Sequence, residues 1–169
     1  YSPCSVLAPF IYHFWEYKGE TRSGLKFNIP PHGCSDFVFI VGNAADCIRD
    51  SLIMKPYHSY FFGPMNTFTE LVAHTNFIHI IGVRFRPCGL FQFIEIPLNE
   101  LANQGIDSQE FPVLFSQSFI YQLCESNQNP IDIIEHELVR QVYKNNMDTE
   151  KQISYAVSLI SRQKGIVSI

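Results

Sequence analysis

The sequence predicts an α+β protein: an antiparallel β-barrel or sandwich over residues 1–110, a helical hairpin over 111–146, and one further helix in 147–169. Three observations point there. Glycines and prolines punctuate the first 110 residues at turn-like intervals, and the runs between them are short and rich in aromatic and β-branched residues. Of the 24 aromatics, 18 fall in this part, which marks it as the half where pleated surfaces pack. No helical pattern separates the runs before residue 88, so the crossovers that a parallel sheet needs are missing. After about residue 110 the apolar spacing changes to that of a helix.

The strand candidates are "FIYHFWEY" (10–17), "DFVFIVG" (36–42), "SYFFG" (59–63), "FTELVA" (68–73) and "FIHIIGVRF" (77–85). Alternation in the second places Phe37, Phe39 and Val41 on one face and Val38 and Ile40 on the other. The last run ends at Pro87, which cannot extend a ladder, and Gly89 permits a reversal. In "PVLFSQSFIYQLCES", Phe115, Phe119 and Leu123 recur at helical spacing. "NPIDIIEHELVRQVYKN" is a stronger helix: Asn129 can cap it, Pro130 suits its first position and Asp132 its first turn. Ile131, Ile134, Leu138 and Val142 form its apolar stripe. The short "SNQN" link predicts an antiparallel helical hairpin. A third helix, "DTEKQISYAVSLISRQKG", starts at Asp148 or Thr149 and stops at Gly165. Residues 147–169, ending on the apolar "IVSI", read as the first part of something that continues. The chain opens on Tyr1 rather than Met, so its natural start is expected upstream.

Composition narrows the function. Hydrophobic residues are 46% of the chain, enough for a substantial core. The net charge of −4 argues against this stretch gripping nucleic acid by itself. No apolar run reaches the ~20 residues that span a bilayer, so no membrane partner is expected. The five cysteines are odd in number and widely spaced, with no C-x-x-C pair. Reduced thiols in a cytosol are expected rather than a disulfide framework or zinc knuckle.

The chemistry on offer is sparse. Six histidines include no H-x-H pair, and His74 and His79 fall on opposite faces of a regular strand. His32 and Cys34 are two apart in a Pro-Pro-His-Gly turn that need not be extended. Neither a G-x-S-x-G elbow nor a phosphate-cradling glycine loop is present. No catalytic residue, metal or cofactor is therefore expected. The exception is Arg84 and Arg86, two apart on an apolar strand. An unpaired charge buried there would cost several kcal/mol. Each arginine is paired, exposed at the strand end, or poised for an anionic or polar ligand. Glu16 and Asp36 are the candidate counterions. The aromatics Phe14, Trp15, Phe37, Phe39, Tyr60, Phe62 and Phe85 can line a pocket, although plain core accounts for most of them.

Several stretches together resemble the N-terminal regulatory domain of AraC-family transcriptional regulators. These are "LAPFIYHFWEY", with Pro9 and Trp15 at the family's spacing; the strand entry "IPPHGCSDFVFIVG"; "YFFGP"; and "GVRFRPCG" followed by "PLNEL". In the last, Cys88 stands where the family often has a second glycine. The resemblance implies a cupin-like β domain over 1–110, with "LFQFIEI" and "PLNEL" as short helical segments over its end and Pro97 at a helix start. It implies dimerisation helices at 111–146, and at 147–169 a linker and the first helix of a DNA-binding domain that is otherwise absent. The expected function is effector sensing and homodimerisation in the cytoplasm, with DNA touched only through that absent part. The expected ligand residues are Trp15, Glu16, Asp36, Phe39, Tyr60, Arg84 and Arg86. The expected dimer contacts are Ile131, Ile134, Leu138 and Val142. A metal-dependent cupin enzyme and a dimerisation module with no small-molecule ligand are the alternatives.

Overall fold

A computed structural model describes residues 1–42, 45–47, 52–94, 100–110 and 114–144 of the 169-residue chain. The strands are β1 (Ile11–Glu20), β2 (Leu25–Ile29), β3 (Asp36–Ile40), β4 (Ala45–Cys47), β5 (Ser59–Phe62), β6 (Thr69–Ala73), β7 (Phe77–Phe85) and β8 (Gly105–Asp107), and the helices are α1 (Gln117–Glu125) and α2 (Pro130–Lys144). The strands form a five-stranded sheet, β1-β7-β3-β5-β8, and a three-stranded sheet, β2-β6-β4. Every pairing is antiparallel. The architecture is α+β, with two sheets packed in sandwich fashion and helices on the outer side of the larger one.

The larger sheet has an apolar layer on each face. All five residues of β3 are buried. Alternation sends Phe37 and Phe39 to one side, with Phe61, Ile81, Val83 and Phe85, where they meet Phe115, Ile120 and Leu123 around α1 and Ile131, Ile134 and Leu138 of α2. Val38 and Ile40 go to the other side, with Tyr60, Ile78 and Ile80, and meet Phe27, Leu71 and Ala73 of the smaller sheet.

The helices begin where capping chemistry places them. The Ser116 hydroxyl accepts the Phe119 N–H, and Asn129 Oδ1 accepts the Ile131 N–H at 3.0 Å. Pro130 opens α2, and Asp132 and Lys144 sit at its positive and negative ends. The N-terminal segment is tied to α2 by the Cys4 N–H, which donates to Glu135 Oε1 at 2.7 Å. After β7 the reversal falls on Cys88, at φ 63°, and not on Gly89 as expected. Gly89 is needed for close approach: a Cβ there would collide with the backbone of Phe10. The segment continues as a short 3-10 helix, Gly89–Gln92.

Strands β2, β4 and β8 were not among the expected runs; they are three to five residues long and sit at sheet edges. The stripe expected to pack between protomers packs within the chain: Ile131, Ile134 and Leu138 are buried against the sheet, with Val142 partly buried beside them. The reason is the aromatic face of the larger sheet, which needs a cover. The expected third helix and the helix start at Pro97 lie outside the described residues.

Candidate functional site

Between the two sheets lies a cavity of about 400 Å³. Its position follows from register. His13 of β1 lies opposite Arg84 of β7, and Arg84 lies opposite Asp36 of β3, so the three form one row across adjacent strands. A register irregularity between Ile11 and His13 brings the histidine to this face. Two residues along each strand the next row is Trp15, Gly82 and Val38, and the row after that is Tyr17, Ile80 and Ile40. Gly82 is required here because the Trp15 indole lies over it, where a Cβ would overlap the ring. Phe27, Ile29 and Leu71 of the smaller sheet, with Met54, Phe62 and Met65, complete a largely apolar wall.

The polar row is organised by an ion pair. Arg84 donates through Nε to Asp36 Oδ1 at 2.9 Å and through Nη2 to Asp36 Oδ2 at 2.8 Å. This two-pronged geometry pairs the guanidinium with an almost fully buried carboxylate, its side chain 8% exposed. His32 joins from the loop before β3. Its Nδ1 accepts the Cys34 N–H at 3.1 Å, and its Nε2 lies 3.2 Å from Arg84 Nη2 and 3.4 Å from Asp36 Oδ2. Burial, and then the Arg84 charge, hold both His13 and His32 below the ordinary histidine value, against the opposing pull of Asp36. Burial works against the Arg84 charge too, but the hydrogen bonds and charge of Asp36 outweigh it and hold the guanidinium above its usual value. Burial likewise pushes the Cys34 thiol up, which leaves it a poor nucleophile.

The structure places four of the expected ligand residues along the cavity, Trp15, Glu16, Asp36 and Arg84. Three, Phe39, Tyr60 and Arg86, are placed differently. Phe39 faces the helices, against Phe115 and Phe119, because it has the opposite parity to Asp36 on the same strand. Glu16 borders the cavity, but its carboxylate is engaged by His79 Nε2 at 2.7 Å and by the Tyr1 hydroxyl at 3.3 Å. By alternation it points with Ile81 to the other face. Tyr60 is on the cavity side of the sheet but does not line the cavity. Its hydroxyl accepts the Lys55 N–H at 2.6 Å and donates to the Ile53 carbonyl at 3.2 Å, so it is a structural anchor. Arg86 lies beyond the end of β7, where alternation no longer holds. Its Nε donates to the Ala8 carbonyl at 2.8 Å, and its guanidinium sits over the Tyr12 ring.

His13, His32, Met54 and Met65 were missed as lining residues. Parity with Arg84 and Asp36 identifies Ile80 and Val38, but nothing local in the sequence reveals which loops close the cavity. Among the described residues no three His, Cys, Asp or Glu side chains are grouped to hold a metal ion. Among the same residues no helix is long and apolar enough to cross a membrane.

Fold and site together define an antiparallel two-sheet domain with an apolar cavity headed by a charged row. The chain belongs to the DUF6597 family, described as a domain of unknown function, whose family model matches residues 1–107. That stretch contains every residue of the cavity wall and neither helix. No curated protein matches the chain.

Proposed function

We propose that this chain is the effector-sensing part of an AraC-family transcription regulator, its two sheets forming a cupin-like shell around a ligand cavity. It acts as a cytoplasmic homodimer whose DNA contacts belong to a further domain. The observation that carries the reading is the cavity itself. A void of about 400 Å³ between sheets, largely apolar with a few polar groups, has the make-up of a small-molecule site. The sequence resemblance supplies the regulatory context. A ligand in the cavity alters the larger sheet, and the helices rest on the opposite face of that sheet, so occupancy has a direct mechanical route to α1 and α2. A difference of ~1–3 kcal/mol between two arrangements suffices for a useful switch. Protomer pairing, in this reading, uses helix surfaces other than the buried stripe. Tyr121 and Tyr143 are exposed there.

Two experiments test it. Reading the gene past residue 169 is expected to reveal a basic segment with two helix-turn-helix patterns; a stop codon at that point overturns the regulator. Leu71→Phe narrows the cavity from the smaller sheet. In the complete protein it is expected to abolish the regulated response of a reporter at unchanged protein level. A full response with the cavity narrowed removes the sensing role.

A further inference from the structure

The rows of the larger sheet say what kind of molecule the cavity suits. Among the described residues, three charged groups line the cavity: Arg84 and Asp36 of the first row neutralise each other, and the Glu16 carboxylate is engaged by His79 and the Tyr1 hydroxyl. Both oxygens of Asp36 are occupied by Arg84, so the guanidinium is not held in reserve for an anion. Burial and the Arg84 charge lower the pKa of both flanking histidines, which disfavours a positive charge on either ring. A carboxylate or ammonium head entering here would shed its hydration and meet no unmatched opposite charge.

Unused hydrogen-bonding capacity nevertheless remains. Among the described residues, the Arg84 bonds use Nε and Nη2 and leave Nη1 with its two hydrogens. Among the same residues, the ring nitrogens of His13 have no hydrogen-bond partner, and a neutral imidazole both donates and accepts. Beyond this row the walls are Trp15, Phe27, Phe62, Ile80, Met54 and Met65, and the two thioethers fit irregular apolar shapes.

We propose that the cavity takes an uncharged amphipathic molecule, an alcohol, ketone or amide on an aliphatic or small-ring body, with its polar head at the His13–Arg84–Asp36 row. The proposal rests on the reading of the cavity as a ligand site and adds the class of ligand.

Three probes with one tail and different heads decide it: 1-octanol, octanoate and octylammonium. Trp15 is the single tryptophan of the chain and lines the cavity, so its emission reports occupancy. Titration of the 169-residue chain at neutral pH is expected to give a saturable change with 1-octanol. The midpoint should be at least tenfold lower than for either ion. An ion that binds as tightly as 1-octanol, or no saturable binding of 1-octanol, overturns the proposal. In Asp36→Asn the Arg84 charge is released, and octanoate is expected to gain at least tenfold and overtake 1-octanol. An unchanged order in that variant counts against the proposal; if the variant does not fold, the wild-type series decides alone. The underlying ligand-site reading fails separately, through the Leu71→Phe reporter. A response that still depends on the open cavity while 1-octanol fails to bind removes only the head-group assignment.

Discussion

The two faces of β3 come from five consecutive buried residues, yet they serve opposite ends. On one side Phe37 and Phe39 meet Phe115 at ring-centroid distances of 5.1 and 4.9 Å, and α1 and α2 pack over them. On the other side Asp36 and Val38 border an open cavity. Within β3 the large rings, Phe37 and Phe39, are on the filled side, and the smaller Asp36 and Val38 are on the hollow side. A sheet can hold a cavity on one face because the other face is packed tightly enough to keep the strands in register. Strict two-residue alternation is what lets the same strand do both.

Truncating one residue on each side of β3 has the largest expected effect. Phe39→Ala is expected to cost about 3–5 kcal/mol in urea unfolding, the usual range for a buried ring. Val38→Ala, whose methyls already border empty space, is expected to cost about 1–2 kcal/mol. Equal losses at the two sites would mean the cavity side is packed as tightly as the helix side. Next in size is the ion pair. Asp36→Ala leaves Arg84 partly buried without its counterion and is expected to cost about 3 kcal/mol, at the lower end of the range for broken buried pairs because the Arg84 side chain is 24% exposed. Adding Arg84→Met should recover much of that loss. A double variant as unstable as the sum of the two single ones would show that the pair is not coupled.

Smaller again is Gly82→Ala. The new methyl overlaps the Trp15 ring, so the indole must move into the cavity. A loss of about 1–3 kcal/mol is expected, together with a shift in tryptophan emission. Unchanged emission would show that the ring does not lie over residue 82. The mildest effect is on pH. His13 and His32 have values lowered from 6.5 in the native state, so below that pH the unfolded chain binds more protons than the folded one. Their contribution to stability is complete above about 6.5 and is lost as the pH falls through the lowered values. Melting temperatures measured from pH 8 to 5 should decline on the acid side. His13→Asn combined with His32→Asn should flatten that decline, and an unaltered slope would assign it to other groups.

Much of the cavity is legible in the sequence, and strand parity separates two of the expected residues. Phe39 and Asp36 were both expected at the ligand, yet they sit three apart on one strand and have opposite parity. Glu16 and Trp15 also have opposite parity, yet both border the cavity. Given Asp36 as a partner of Arg84, alternation alone selects Val38, and with Arg84 it selects Gly82 and Ile80. The aromatic face was then free for the two helices that the sequence also announced. Arg86 shows the converse limit: parity with Arg84 means nothing once Pro87 has ended the strand. The closing residues Met54 and Met65 lie in loops, where no periodicity exists to be read.

What the sequence determined by itself is local. Apolar alternation made the long strands, Ser116 and Asn129 set where the helices begin, and Pro87 set where β7 stops, because each depends on neighbours a few residues away. Tertiary structure alone decided which face became hollow, whether α2 turned its stripe inward, and that His13, Arg84 and Asp36 stand in one row. Those outcomes depend on the register between strands far apart in the chain, and on competition among several apolar surfaces for the same cover. No local pattern encodes either.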